Sequence, residues 1–214
     1  MRSERGKYGK YAAPVLRRTA SAVSLRSRRR KLELFLETFR PGPETTVVDV
    51  GVTDSGFGAG GHATDNFFEA AYPWPEQITA VGVTELDRFA AAFPGVRTVR
   101  ADGRSLPFAD REFDLAFSNA VVEHVGGRDA QRAFVHELCR VARRVFVTTP
   151  NRRFPIEVHT LWPLVHWLPR PLGRRLVPAL EDIELLSGAE LRALFPYPVR
   201  IVSHGATLIA VGPV

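Results

Sequence analysis

A chain of 214 residues, 45% hydrophobic and 24% charged, is long enough to bury a full apolar core in one domain and too apolar for a disordered chain. Its single cysteine, Cys139, excludes an intramolecular disulfide framework and a cysteine-built zinc site; the first residues also lack an apolar leader core, so the expected compartment is the cytoplasm. No apolar stretch approaches the roughly 20 residues of a membrane span, and no repeat supports a collagenous or coiled-coil chain.

The net charge of +6 is unevenly placed. Residues 1–40 hold 12 Lys or Arg against 3 Asp or Glu, whereas residues 41–214 hold 17 against 20. The basicity therefore belongs to an N-terminal arm. Such an arm could be a solvated leader, a phosphate-binding tail, a membrane-surface tether or a clamp on an acidic substrate. The first eighteen residues show no stable period. From Ser24 to Phe39, Leu32, Phe35, Leu36 and Phe39 fall on one helical face, and Pro41-Gly42-Pro43 ends that helix.

Thr45 to Gly51 is a β-branched run ending in glycine, the pattern of a buried strand. Ile78 to Val83 is a second strand and Leu86 to Phe93 a short helix stopped by Pro94-Gly95. Arg97 to Ala101 and Phe113 to Ser118 are the third and fourth strands. Asp129 to Ala142 is a helix with Phe134, Leu138 and Val141 on one face, running into a fifth strand, Val145 to Thr149. Ser187-Gly188-Ala189-Glu190 has the spacing of a capping box opening the last helix. Val199 to Ser203 and Thr207 to Val211, joined by His204-Gly205-Ala206, close the chain as an antiparallel pair. Strands alternating with helices predict an α/β fold with a doubly wound, mostly parallel sheet. Ligands of such sheets bind at the carboxyl ends of the strands, which directs attention to the residues there.

After the first strand, Gly56, Gly58 and Gly61 spell G-x-G-x-x-G, but they begin five residues past the strand end, where a dinucleotide fingerprint should start. Read from the strand end, Asp49-Val50-Gly51 instead sets an acid inside the strand and a glycine where backbone can approach a ligand. Further on stand Asp102-Gly103-Arg104-Ser105-Leu106-Pro107-Phe108, Phe113-Asp114 and Glu123-His124-Val125.

Taken together, these elements resemble the class I S-adenosylmethionine-dependent methyltransferases, type 11-like, over approximately Thr45 to Pro150. The string from Thr149 to Thr160, with Trp162-Pro163-Leu164 and His166-Trp167-Leu168-Pro169, is similar to a bacterial branch associated with glycan or secondary-metabolite pathways. The resemblance implies a seven-stranded Rossmann-like sheet with an antiparallel last strand, and S-adenosylmethionine as cofactor. It further implies that Asp49 and Gly51 face the methionine part, that Thr84 by alignment or Glu85 by chemistry accepts the ribose hydroxyls, that Asp102 with the Gly103 backbone meets adenine, and that Asn119 faces the methionine end. Val52, Thr53 and Asp54 after Gly51 depart from the family's usual D-x-G-x-G-x-G.

A hydroxyl acceptor must lose a proton, for which histidine is suited. Of six histidines, His124 and His159 stand where the substrate side of the fold is expected, and Glu157 could orient His159; a local helix-start bond and a simple loop pair are the respective alternatives. His62 lies in the first loop, His136 on a helix, and His166 and His204 near packing or turn elements. No metal motif is present.

The expected organisation is a basic arm and helix over residues 1–40, a methyltransferase domain over 41–214, and a substrate-side insertion or lid over 151–186. Trp162, Trp167 and Arg170, Arg174 and Arg175 in that insertion suit an amphiphilic acceptor or peripheral membrane contact, or simple core packing. The expected activity is methyl transfer to a small molecule or glycan precursor at oxygen. An RNA methyltransferase using the basic arm and a non-catalytic scaffold are the alternatives; nucleic acid is not favoured, because no aromatic-interleaved basic face accompanies the arm.

Overall fold

The computed structural model describes residues 14–55, 66–160 and 162–213, with side chains undescribed at 14–24, 170, 174 and 179. Gly56, Gly58, Gly61, His62 and the first thirteen residues lie outside the described residues, and so do the side chains of Arg170 and Arg174.

Seven strands form one sheet: β1 (Val47–Val50), β2 (Ile78–Gly82), β3 (Arg97–Arg100), β4 (Phe113–Asn119), β5 (Ala142–Pro150), β6 (Arg200–His204) and β7 (Thr207–Gly212). Their spatial order is β3-β2-β1-β4-β5-β7-β6. The pairs from β3 to β5 are parallel, and β7 runs antiparallel to both β5 and β6. The expected fold class, a doubly wound Rossmann-like sheet with an antiparallel last strand, is thus the observed one. The order reverses between β1 and β4, the switch point where such sheets open a crevice.

Six α-helices are described: α1 (Pro14–Phe39), α2 (Phe67–Ala71), α3 (Asp87–Ala92), α4 (Arg128–Val141), α5 (Arg170–Leu176) and α6 (Gly188–Arg192). Strand alternation divides the core between two faces. On one, Val48, Val50, Ala116, Val145 and Val147 meet Phe134, Val135 and Leu138 of α4 and Leu191 of α6. On the other, Val47, Leu115, Phe117 and Phe146 meet Phe35 and Phe39 of α1, Phe68 of α2 and Phe89 of α3. Phe35 is fully buried and makes edge-on contacts with Phe68, Phe117 and Phe146 at centroid separations of 5.1, 5.7 and 5.5 Å. The second half of α1 is therefore built into the core.

Two local readings are corrected. The first helix begins at Pro14 rather than Ser24. Periodicity registers only the part of a helix that packs on a core; no glycine or proline interrupts residues 15–39, and proline is tolerated at a helix start. Strand β5 begins at Ala142, three residues before the expected Val145, because Arg143 and Arg144 point to solvent where the strand emerges and break the apolar run. The capping box at Ser187 and Glu190 is present, with Ser187 N–H donating to Glu190 Oε2 at 2.8 Å.

Candidate active site

The site grows from the carboxyl ends of the central strands. Asp49 lies in β1 and is buried, in register with Ala80 of β2 and Phe117 of β4. Gly51 follows with φ +112°, and its N–H donates to the Val81 carbonyl at 2.8 Å. A Cβ there would sit 2.1 Å from Val121 Cγ2, so glycine is required both by the backbone angle and by the approach of the loop after β4. Asp49, Gly51 and Val52 line a small pocket with Phe67, Phe68, Phe117 and Asn119.

The atypical loop after Gly51 has its own supports. Asn66 accepts from Thr53 N–H at 3.2 Å and returns a bond to the Thr53 carbonyl at 2.8 Å, while Asp54 Oδ1 accepts from Phe89 N–H at 2.8 Å in the first turn of α3. Thr53 and Asp54 thus tie the loop to α2 and α3.

Thr84 and Glu85 follow β2 and are exposed. Glu85 forms an ion pair with Arg100 of β3, both side chains more than half exposed. Asp102 follows β3 and is held by Arg104, whose Nη2 donates to Oδ2 at 2.6 Å. Those hydrogen bonds keep the Asp102 carboxyl below its ordinary range. Gly103 is buried beneath Phe134, whose ring would lie 2.6 Å from any Cβ. Because the strands run β3-β2-β1-β4, the polar ends stand in the spatial order Asp102, Glu85, Asp49 with Gly51, then Asn119. A ligand carrying a base, a ribose and an amino-acid tail meets acceptors in that same order. Two exposed carboxylates at one end, exposed backbone at Gly51 and a small pocket that sets Asp49 and Asn119 among aromatic rings fit such a group.

Three further residues complete this end, and sequence reasoning passed over each. Lys31 of α1 is largely buried and donates from Nζ to Asn119 Oδ1 at 2.8 Å; Thr148 Oγ1 donates to the same oxygen at 2.8 Å. Lys31 lies four residues before Phe35, on the buried stripe, which was the available signal. Glu69, an acid within the otherwise apolar α2, is buried next to Asp49. Burial first, and the neighbouring Glu69 charge second, push the Asp49 carboxyl well above its ordinary range, and burial raises Glu69 as well. Two like charges this close do not both ionise readily. Glu123, in the Glu123-His124-Val125 string, is fully buried.

Glu123 anchors a second cluster beyond β4. Ala120 has φ +56°, a left-handed turn that redirects the chain and places Val122–His124 in a single 3-10 turn. Thr149 Oγ1 donates to Glu123 Oε2 at 3.0 Å, while Glu123 Oε1 is buried with no hydrogen-bond partner. His159 Nε2 lies 4.0 Å from that oxygen. On its other side, His159 Nδ1 is 2.6 Å from Glu157 Oε1. Glu157 also accepts from the His159 and Thr160 N–H groups and from the Thr160 hydroxyl. Burial alone would raise its carboxyl, but the His159 hydrogen bond and charge and these donors outweigh it and hold Glu157 down at about 2. The His124 ring meets the His159 ring edge-on at 5.1 Å. Sequence-selected His124, His159 and Glu157 are thus brought together.

The remaining described histidines stand elsewhere. His166 Nε2 is 3.0 Å from the Arg152 carbonyl, His136 is exposed on α4 and His204 ends β6. The 151–186 segment has its own small cluster of Val165, Val177 and Leu180 over a cavity of about 150 Å³. It leaves Trp162, Leu164, Trp167, Leu172 and Leu176 exposed.

Residues 53–145 match a family of methyltransferase domains. Over that stretch the chain is similar to methyltransferase domains. It is an enzyme, and its cofactor is S-adenosylmethionine. The fold is shared with solved structures at low identity. PH0226 from Pyrococcus horikoshii aligns with a TM-score of 0.58 and 16% identity, over 87% of this chain and 89% of that one. YcgJ from Bacillus subtilis aligns with a TM-score of 0.55 and 20% identity, over 82% and 71%. An S-adenosylmethionine-dependent methyltransferase from Aquifex aeolicus aligns at 0.51 and 18%, over 84% and 87%. No curated protein matches the chain. Among the described residues no helix is long and apolar enough to cross a membrane.

Proposed function

We propose that this methyltransferase transfers the methyl group to a hydroxyl oxygen of a small molecule or glycan precursor in the cytoplasm, with the acceptor held at the Glu123, His124, Glu157 and His159 cluster. The observation that carries the reading is the 2.6 Å contact between His159 Nδ1 and Glu157 Oε1. A carboxylate there fixes the tautomer with the proton on Nδ1 and leaves the Nε2 lone pair to receive the proton of an acceptor hydroxyl.

Asp49, Gly51 and Asn119 bind the methionine part, Glu85 with Thr84 the ribose hydroxyls, and Asp102 with the Gly103 backbone the adenine. S-adenosylmethionine supplies a methyl group already activated on sulfonium. The protein's work is therefore to align the acceptor oxygen behind that methyl and to remove its proton. Glu157 positions His159, and His124 flanks it. The exposed apolar side chains of the 151–186 segment suit an acceptor with an apolar portion, consistent with a bacterial glycan or secondary-metabolite branch.

The test is a methyl-release assay across alcohols, sugars and phenols, with amine analogues as competitors. Oxygen acceptors should turn over, and His159→Ala should cut turnover by about 10²–10⁴ with cofactor affinity kept. Selective turnover of amines, or full activity in His159→Ala, would refute the reading.

A further inference from the structure

We infer that Glu123, His124 and His159 form a binding site for a first-row divalent transition ion of the Zn²⁺, Co²⁺ or Mn²⁺ kind. One carboxylate oxygen and one ring nitrogen from each histidine lie within 4.8 Å of one another. They come from the turn after β4 and from a separate loop after β5, which is why no short motif announced them and why none was expected.

Three features distinguish the cluster from a chance meeting of polar side chains. Glu123 Oε1 is fully buried without a hydrogen-bond partner, a costly state for a carboxylate oxygen unless another group meets it. It faces His159 Nε2 at 4.0 Å, wider than a hydrogen bond and close to the roughly 3.3 Å that separates two ligands of one tetrahedral ion with 2.0–2.1 Å bonds. Glu157 takes the Nδ1 side of His159 at 2.6 Å, the carboxylate–imidazole arrangement that orients a metal-ligating histidine.

His124, exposed at the end of its turn, brings the third ligand atom to within 4.8 Å of the other two. Its neighbours are fixed: Gln131 Nε2 donates to the Val122 carbonyl at 3.1 Å, and Glu184 N–H donates to the Glu123 carbonyl at 2.8 Å. Two imidazoles and one carboxylate favour a borderline transition ion over Mg²⁺ or Ca²⁺, which prefer all-oxygen shells.

Three protein ligands leave coordination positions open. Resting on the reading of this cluster as the acceptor's end of the site, those positions suit two adjacent oxygens of the acceptor, as in a diol or a hydroxy acid. A seated ion then engages the Nε2 lone pair and lowers the proton affinity of the bound hydroxyl, whose proton passes to solvent water instead of to His159.

The experiment is a titration of the full chain with Co²⁺, followed by visible absorption, and equilibrium dialysis with Zn²⁺, Mn²⁺ and Mg²⁺. One transition ion per chain is expected, with Mg²⁺ at least 100-fold weaker. Glu123→Gln and His159→Ala should abolish binding, Glu157→Gln should weaken it about 10–100-fold, and His136→Ala on α4 should leave it unchanged. In the unaltered chain, pulsed EPR of bound Mn²⁺ should show two imidazole nitrogens, which keeps the test sound if a variant misfolds. No stoichiometric ion, binding untouched by Glu123→Gln and His159→Ala, fewer than two nitrogens, or equal affinity for Mg²⁺ would each overturn the site. Methyl transfer that persists in a chelator-treated chain lacking any ion site would leave the proposed function standing without it.

Discussion

Lys31 Nζ donates to Asn119 Oδ1 at 2.8 Å, joining α1 to the end of β4. The bond places a cation from the basic N-terminal stretch inside the site, within electrostatic reach of the buried Glu123 carboxyl. Burial raises that carboxyl, and the His159 and Lys31 charges oppose the rise. Lys31→Ala should lower stability by about 1–3 kcal/mol, the range for a buried polar group losing a charged partner. Urea unfolding measures it, and an unchanged midpoint would show that the bond contributes nothing.

Helix α1 also enters the core through Phe35, so a truncation ahead of the helix and a change within it should act differently. Removing residues 1–13 should leave the unfolding midpoint unaltered. Phe35→Ala should cost about 3–5 kcal/mol, since it empties the centre of an aromatic cluster. Thermal unfolding of both variants decides the matter, and a collapse of the truncated protein would place the arm in the folded core.

The carboxyl groups impose opposite pH dependences. Asp49, Glu69 and Glu123 have folded-state values raised by burial. The native state holds their protons longer, so stability is lost as pH rises from the ordinary carboxylate range, about 4, upward. Glu157 is depressed to about 2; its contribution is present above the ordinary range and lost as pH falls from about 4.5 towards 2. Glu69→Gln should therefore flatten the decline on the alkaline side, and Glu157→Gln should cost roughly 2–3 kcal/mol at pH 7 and remove the acid limb. Unfolding midpoints between pH 3 and pH 9 test both signs.

Ala120 occupies a left-handed conformation at φ +56° between Asn119 and Glu123. Such a backbone costs an L-residue about 1–2 kcal/mol, and glycine escapes the cost. Ala120→Gly should raise stability by about 0.5–1 kcal/mol. A loss of stability in calorimetry would show that the methyl group contributes more by packing than the angle costs.

The acids after β2 and β3 give the most direct assay of cofactor contacts. Glu85→Ala and Asp102→Ala should each weaken S-adenosylmethionine binding by about 1–3 kcal/mol without loss of fold. Both acids already pair with local arginines, and at exposed sites such pairs contribute little to stability. Titration calorimetry showing unchanged affinity in both variants would remove them from the site.

The strand ladder was legible in the sequence because burial on both faces of a parallel sheet favours near-continuous apolar runs rich in β-branched residues, and Val47–Val50, Ile78–Gly82 and Val145–Val147 approach that form. The strand-end acids and Gly51 were legible for a related reason: the fold sends ligands to those ends, so a few positions carry the signal. Helix α2 was not, since five residues are too few to show a period. Nor could spacing show that Asp49 meets Glu69, that Lys31 reaches Asn119, or that Glu123 faces His159. Each pair is distant along the chain or turned by a single backbone angle, as at Ala120, and no local propensity encodes where two separate loops converge. Residue types and strand order determined which chemistry this chain could hold. Packing of α1, α2 and the loop after β5 against the sheet decided which side chains share a proton, a charge or an open lone pair, because those properties depend on distance and burial that exist only once the chain has folded.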